Sequence, residues 1–252
     1  MSEPDNWDEH WVRFADSNSR NPAQRMRYQL LGRGLLRLPA AARRRILDIG
    51  SGQGDFLAGL ARTLPEAELT GFELSASGVA RARAKVPRAA FFVADLFHPP
   101  AEIESCRGWA TAAVCSEVLE HVDDPAAFLR AARSYLADGA PLVVTVPGGP
   151  MSAFDRHIGH RQHFTRESIR RVLTEGGFAT ERVDLAGFPF FNLYRAVVVA
   201  RGQSLVSDVE AGRKGFASRL ADAVMTAFRV LFRANLTDAP WGWQVVAVAR
   251  KQ

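Results

Sequence analysis

The sequence predicts a doubly wound α/β fold, a parallel sheet with helices on both faces, on three observations. Short apolar runs alternate with helix-length stretches through most of the 252 residues. A glycine-rich turn, Gly50-Ser51-Gly52-Gln53-Gly54, follows the first of those runs. Later runs end in acidic positions, Glu73 and Asp95, at normal strand–helix spacing. Alternating strands and helices imply parallel pairing, because each helix carries the chain back to the starting edge. In such sheets ligands lie beyond the carboxyl ends of the strands.

The elements follow in order. A helix is expected over 22–38, with Asn21 able to cap it and Pro22 suited to its first turn. Apolar strands are expected at 45–49, 68–73, 90–94, 110–115 and 141–146. Helices are expected at 53–63, 76–86 and 124–137. Another helix starts after Thr165, and a strand follows Gly176-Gly177. The chain shows no internal repeat and no low-complexity linker.

Composition narrows the class. At 47% hydrophobic residues there is enough apolar surface for a full core. No apolar run approaches the roughly 18 residues of a membrane-spanning helix. The start, MSEPDNWDEHW, is acidic and polar, unlike a signal peptide. Cysteines occur only at 106 and 115, the second within an expected buried strand, so no disulfide and a cytoplasmic location are expected. The net charge of +5 comes almost wholly from arginine, with lysine only at 85, 214 and 251. These arginines are scattered apart from Arg43-Arg44-Arg45, which reads as a solvated run before a strand, so nucleic acid is not an expected partner.

The glycine turn poses the functional question. A dinucleotide fingerprint reads G-x-G-x-x-G and meets a pyrophosphate. Here the spacing is G-x-G-x-G, and Asp48 stands two residues before Gly50. An acid there repels a pyrophosphate but suits a ligand bearing a sulfonium and an ammonium. Glu73, ending the second strand, can accept from both hydroxyls of a ribose. Asp95, ending the third, can accept from an adenine amino group.

With these features the sequence resembles the class I S-adenosylmethionine-dependent methyltransferases over roughly residues 40 to 185. The resemblance rests on "ILDIGSGQGDF", "GFEL", "VADLF", "CSEVLEHVDDP" and "HFTRESIRRVLTEGGF". It implies a Rossmann-like, mostly parallel seven-stranded sheet and S-adenosyl-L-methionine as cofactor, with S-adenosyl-L-homocysteine as product. It puts Asp48, Gly50, Ser51 and Gly52 around the methionine part, Glu73 on the ribose with Leu74 beside it, Asp95 and Leu96 at the adenine, and Ser116 near the sulfur.

A second constellation follows the fourth strand. Glu117, Glu120 and His121 sit at i, i+3 and i+4, so a helical turn projects all three to one side. Two carboxylates and an imidazole make a half-shell for a divalent cation such as Mg²⁺ or Mn²⁺. "DRHIGHRQHFTRES" adds His157, His160 and His163 after the fifth strand, and His160 or His163 would complete the shell. The E-x-x-E-H pattern resembles that of the ubiquinone-biosynthesis O-methyltransferases. It also resembles the small-RNA 2′-O-methyltransferases, in which the match places His160 on the last ligand, although no RNA-binding domain accompanies this chain. The alternative is a metal-free pocket in which His121, His160 or His163 serves as general base. A histidine-rich rim favours an oxygen acceptor, so the leading expectation is O-methylation of a small molecule in a biosynthetic pathway. RNA 2′-O-methylation, C-methylation and non-catalytic cofactor binding stand as alternatives.

Residues 41–187 form the expected cofactor-binding core. Residues 1–40 are expected as a helical lid, with Trp7, Trp11, Phe14 and Tyr28 available to cover the site. Residues 188–252 are expected to hold a helical insertion and the last strand. Within it Phe216, Leu220, Val224, Phe228 and Leu231 line one helical face, flanked by Arg213, Lys214, Arg219, Arg229 and Arg233. Such a stripe serves core packing, homodimerisation of an otherwise monomeric chain, or contact with a membrane surface.

Overall fold

The computed structural model describes residues 8, 21–210 and 216–252, with the side chains at 203, 205–210 and 216–223 outside the description. Trp7, Trp11, Phe14, Arg213 and Lys214 lie outside the described residues, as do the side chains of Phe216, Arg219 and Leu220.

Helix α1 spans Pro22–Leu36, and the Asn21 side chain accepts from the Ala23 amide at 2.9 Å. Strand β1 (Arg45–Ile49) leads into α2 (Asp55–Thr63), β2 (Glu68–Glu73), α3 (Ala76–Lys85) and β3 (Ala90–Val93). Then come β4 (Ala112–Ser116), α4 (Pro125–Ala132), β5 (Pro141–Pro147), a short α5 (Ala153–His157), α6 (Arg166–Glu175) and β6 (Phe178–Ala186). Helices α7 (Phe190–Glu210) and α8 (Phe216–Leu231) precede β7 (Gln244–Lys251). Helix α7 is kinked at Gly202, whose φ is 44°.

Most element ends fall within two residues of expectation, and two differences have a clear packing cause. The helix expected over 124–137 ends at Ala132 and tightens into a 3₁₀ turn, Arg133–Tyr135, which drops Tyr135 into the core at 2% exposure. The fourth strand starts at Ala112 rather than 110, because Ala110 pairs instead with Leu136 in an isolated bridge.

The seven strands lie in the order β3-β2-β1-β4-β5-β7-β6, with β7 antiparallel to both neighbours. Along β1 side chains alternate between the two faces. Leu47 and Ile49 join Leu129, Tyr135 and Ile169 on one face; Ile46 joins Leu35, Leu57 and Val79 on the other. On the second face α1 lies tight against β5: a Cβ at Gly34 would stand 2.7 Å from Val143 Cγ1. Leu31 and Leu35, fully buried there, each contribute about 1.5–3 kcal/mol of transfer free energy.

Strand order reverses between β1 and β4, and a crevice opens at such a switch point. The turn after β1 sits there, its Gly50 and Ser51 amides donating to the Phe72 carbonyl at 2.8 and 2.9 Å. Among the described residues no helix is long and apolar enough to cross a membrane.

Candidate active site

Two cavities, of about 420 and 410 Å³, meet at the carboxyl ends of the strands and share Gly50, Glu117 and His121. The first is lined by Glu73, Leu74, Asp95 and Leu96, with Phe72 and Phe128 making its walls apolar. The second takes in Asp48, Ser51, Gly52 and Ser116, and continues past Glu120 and His160 to α1, α7 and α8. The residues expected around an adenosyl ligand are thus distributed in order along one continuous space.

That space fits the ligand. Gly50 has φ +77°, and a Cβ there would strike Val118 Cγ2 at 2.3 Å, so the backbone itself forms the wall. Ser51 Oγ is buried with no hydrogen-bond partner. Glu73, 7% exposed, is aimed by two backbone amides: Gly52 N donates to Oε2 at 2.8 Å and Ser75 N to Oε1 at 3.0 Å. A carboxylate oxygen can accept more than one hydrogen bond, so these bonds orient Glu73 without precluding a hydroxyl. Burial, reinforced by the charge of Glu73, pushes the Asp48 carboxyl up to about 8, a condition that a neighbouring ligand cation relieves. Asp95 accepts from the Phe97 amide at 2.9 Å and faces His98 Nδ1 at 2.9 Å, a turn habit common for aspartate. Ser116 Oγ is 2.8 Å from Thr145 Oγ1.

The segment after β4 is strained. Glu117 has φ 55°, the one positive value at a non-glycine among the described residues. Its carboxylate is held by Arg27 of α1 at 2.9 Å and by Gln244 Nε2 of β7 at 2.8 Å, while Gln244 Oε1 accepts from Arg27 Nε at 3.0 Å. Glu117 therefore stands outside the metal-ligand set in which the sequence placed it: the left-handed backbone turns its carboxylate toward α1 and an arginine takes it.

Glu120, His121 and His160 do come together, with one ligand atom from each within 4.8 Å of the others. Glu120 is fully buried, and neither carboxylate oxygen has a hydrogen-bond partner in another residue. Burial, with the Glu117 charge beside it, holds its carboxyl well above the usual carboxylate range. The His121 and His160 rings meet edge to face at 4.8 Å.

His163 belongs to a second group with Asp155 and His160. Its Nδ1 lies 3.1 Å from the Gly149 carbonyl, which only accepts, so Nδ1 carries the hydrogen. His163 Nε2 then accepts from His160 Nδ1 at 3.1 Å, and the His160 Nε2 lone pair is left for the cavity. Burial, with His121 beside it, lowers His160 and favours its neutral ring, whose lone pair can accept a proton. Burial likewise lowers His163. Asp155 is 1% exposed; burial opposes its ionisation, but bidentate Arg195 at 2.9 and 2.8 Å and the Ser152 cap outweigh that and hold it below the ordinary range. His157, the remaining histidine of that segment, is exposed and outside both groups.

Sequence reasoning missed Arg27, Asp155, Arg195 and Gln244. Only Asp155 left a trace, as the N3 residue of a Ser-x-x-Asp capping pattern.

The C-terminal helices reach the site through Tyr194, Arg195, Val198 and Met225. The expected stripe on α8 divides: Phe228 packs on Tyr194 and Phe232 with centroids 5.4 and 5.6 Å apart, whereas Val224 and Leu231 are 45% and 37% exposed.

Comparison with known proteins places the chain in a family. A family model described as a methyltransferase domain matches residues 23–183. Trans-aconitate 2-methyltransferase of Methylobacterium radiotolerans is 33% identical over 137 residues, 54% of this chain and 47% of that protein. The chain spans about half the length of the curated relatives it matches. In fold it is similar to Haemonchus contortus phosphoethanolamine N-methyltransferase 2 in complex with S-adenosyl-L-methionine (TM-score 0.56, 19% identity, 88% of this chain and 52% of that one). It is also similar to the cyclase SpnF (TM-score 0.57, 21% identity, 89% and 80% covered). The family match, the seven-stranded order and the glycine-lined crevice lead to one conclusion: the chain belongs to the class I S-adenosylmethionine-dependent methyltransferases.

Proposed function

We propose that the chain methylates a hydroxyl oxygen of a small molecule seated in the second cavity, with His160 as general base. The observation that carries this reading is the hydrogen-bond chain from the Gly149 carbonyl through His163 to His160, which leaves the His160 Nε2 lone pair facing the cavity. The cofactor, when bound, supplies a methyl group already activated as a sulfonium. Gly50, Ser51, Gly52 and Asp48 would hold its methionine end, Glu73 its ribose, Leu74, Asp95 and Leu96 its adenine, and Ser116 would border the sulfur. What remains for the protein is alignment, exclusion of water and removal of the acceptor's proton. His160 takes that proton at Nε2. His163 fixes its tautomer, and the carboxylate of Asp155, 4.0 Å from His163 Nε2, balances the charge that arises. Relatives named for trans-aconitate support a small-molecule acceptor. The segments 1–40 and 188–252 would select it, since α1, α7 and α8 supply walls of that cavity.

His160→Gln tests the assignment. It should lower the rate about 10²–10⁴-fold with cofactor affinity unchanged. Full activity in this variant removes His160 from the chemistry.

A second reading rests on the partnerless Glu120 carboxylate. Glu120, His121 and His160 would hold a divalent cation, with two imidazoles favouring Mn²⁺ over Mg²⁺, and the ion would lower the acceptor hydroxyl's pKa. Chelator-sensitive turnover together with stoichiometric Mn²⁺ binding, lost in Glu120→Gln, supports this reading. Turnover indifferent to chelator leaves His160 as the base.

A further inference from the structure

The charges around the second cavity define what it accepts. Among the described residues two arginines line it, and both are committed. Arg27 is held at 2.9 Å by Glu117 and bonded to Gln244, with Phe191 beneath its guanidinium at 5.9 Å. Arg195, 8% exposed, makes two bonds to Asp155. Among the described residues no lysine lines the cavity. Two further carboxyl groups do, Asp48 and Glu120. An anionic acceptor would meet two guanidiniums already neutralised by Glu117 and Asp155, and two buried carboxyls, Asp48 and Glu120, whose ionisation it would oppose further. The wall away from the cofactor turn is apolar: Phe154, Ile158, Tyr194, Val198 and Met225.

The geometry points to a neutral hydroxyl compound with an apolar body, such as an alkyl-substituted phenol, and against acceptors bearing carboxylate or phosphate. This rests on the reading of the second cavity as the acceptor site. It separates the chain from the relatives named for trans-aconitate, a tricarboxylate, which match it over about half their length. The cause is local: Glu117 and Asp155 neutralise the two guanidiniums that an anion would otherwise use.

The test is equilibrium binding to the full chain saturated with S-adenosyl-L-homocysteine, so that no turnover is needed. The probes are 4-hexylphenol, 4-hexylbenzoate and trans-aconitate at pH 7.5. The phenol should bind at least about tenfold more tightly than the benzoate, with trans-aconitate weakest. Asp155→Asn, which frees Arg195, should narrow that ratio, and Glu117→Gln, which frees Arg27, should do the same if the first variant does not fold. Benzoate binding as tight as the phenol, tight trans-aconitate binding, or no binding by any of the three overturns the proposal. Loss of turnover is read separately, in His160→Gln, so failure of the base assignment and failure of the charge argument give different results.

Discussion

The two cavities share a floor but are assembled differently. Apart from that floor, the first takes Glu73 from the last residue of β2 and Asp95 from the turn after β3, with the paired Asp123 and Arg161 on its rim. The second is closed by pairs far apart in sequence: Arg195 reaches Asp155 across 40 positions, and Arg27 reaches Gln244 across 217. A wall set by local register survives most distant changes. A wall set by long-range pairs depends on nearly every element being in place.

This contrast can be tested in several ways. The largest effect lies on the pH axis and concerns Asp48, at the junction of the two designs. Its folded pKa is about 8 against an ordinary 3.8, so the folded chain retains a proton that the unfolded chain releases. The stability contributed is fully present below about pH 4 and is lost as pH rises through 8, up to about 5 kcal/mol. Urea titrations across that range should show stability falling with pH, and Asp48→Asn should flatten the profile. A wild-type profile already flat there would remove the buried-carboxyl account. Cofactor binding should also release protons near pH 7, seen as a buffer-dependent calorimetric heat.

Next comes the long-range wall. Arg27→Met leaves the half-buried Glu117 without its cation and should cost about 2 kcal/mol, read as a lower urea midpoint at unchanged slope. A variant as stable as wild type would make the second cavity as locally determined as the first. Glu73→Ala should instead spare the fold and weaken cofactor binding by about 1–3 kcal/mol. Unchanged affinity by calorimetry would sink the ribose assignment. The smallest effect belongs to the exposed side of α8: Leu231→Asp should change stability by less than about 0.5 kcal/mol and leave cofactor affinity alone, whereas Phe228→Asp, aimed at Tyr194 and Phe232, should destabilise.

The same contrast explains what the sequence could tell. Strand limits at 45–49 and 68–73 were legible to the residue, because apolar runs bounded by turn residues leave little freedom. Asp48, Glu73 and Asp95 could be singled out because each stands at or just past the carboxyl end of a strand, and all three line the two cavities. Glu120, His121 and His160 were legible as chemistry, through residue type and i, i+3, i+4 spacing, and the fold brings them together. Glu117 was misplaced because spacing alone does not reveal a left-handed residue. Arg27 and Arg195 were hidden: in a chain whose cations are nearly all arginine, one more carries no signal, and ion-pair partners distant in sequence follow no period.

The place of Gln244 in the sequence has a consequence for biosynthesis. The strands that cradle the cofactor are complete once β5 has been made, and helix α1 exists from the start. Yet Arg27 and Glu117 await a bridging amide from β7, which enters the sheet between β5 and β6. On the ribosome, Gln244 emerges more than 200 residues after Arg27. Closure of the second cavity by the Arg27–Gln244–Glu117 bridge therefore waits for the last strand of the sheet to be made.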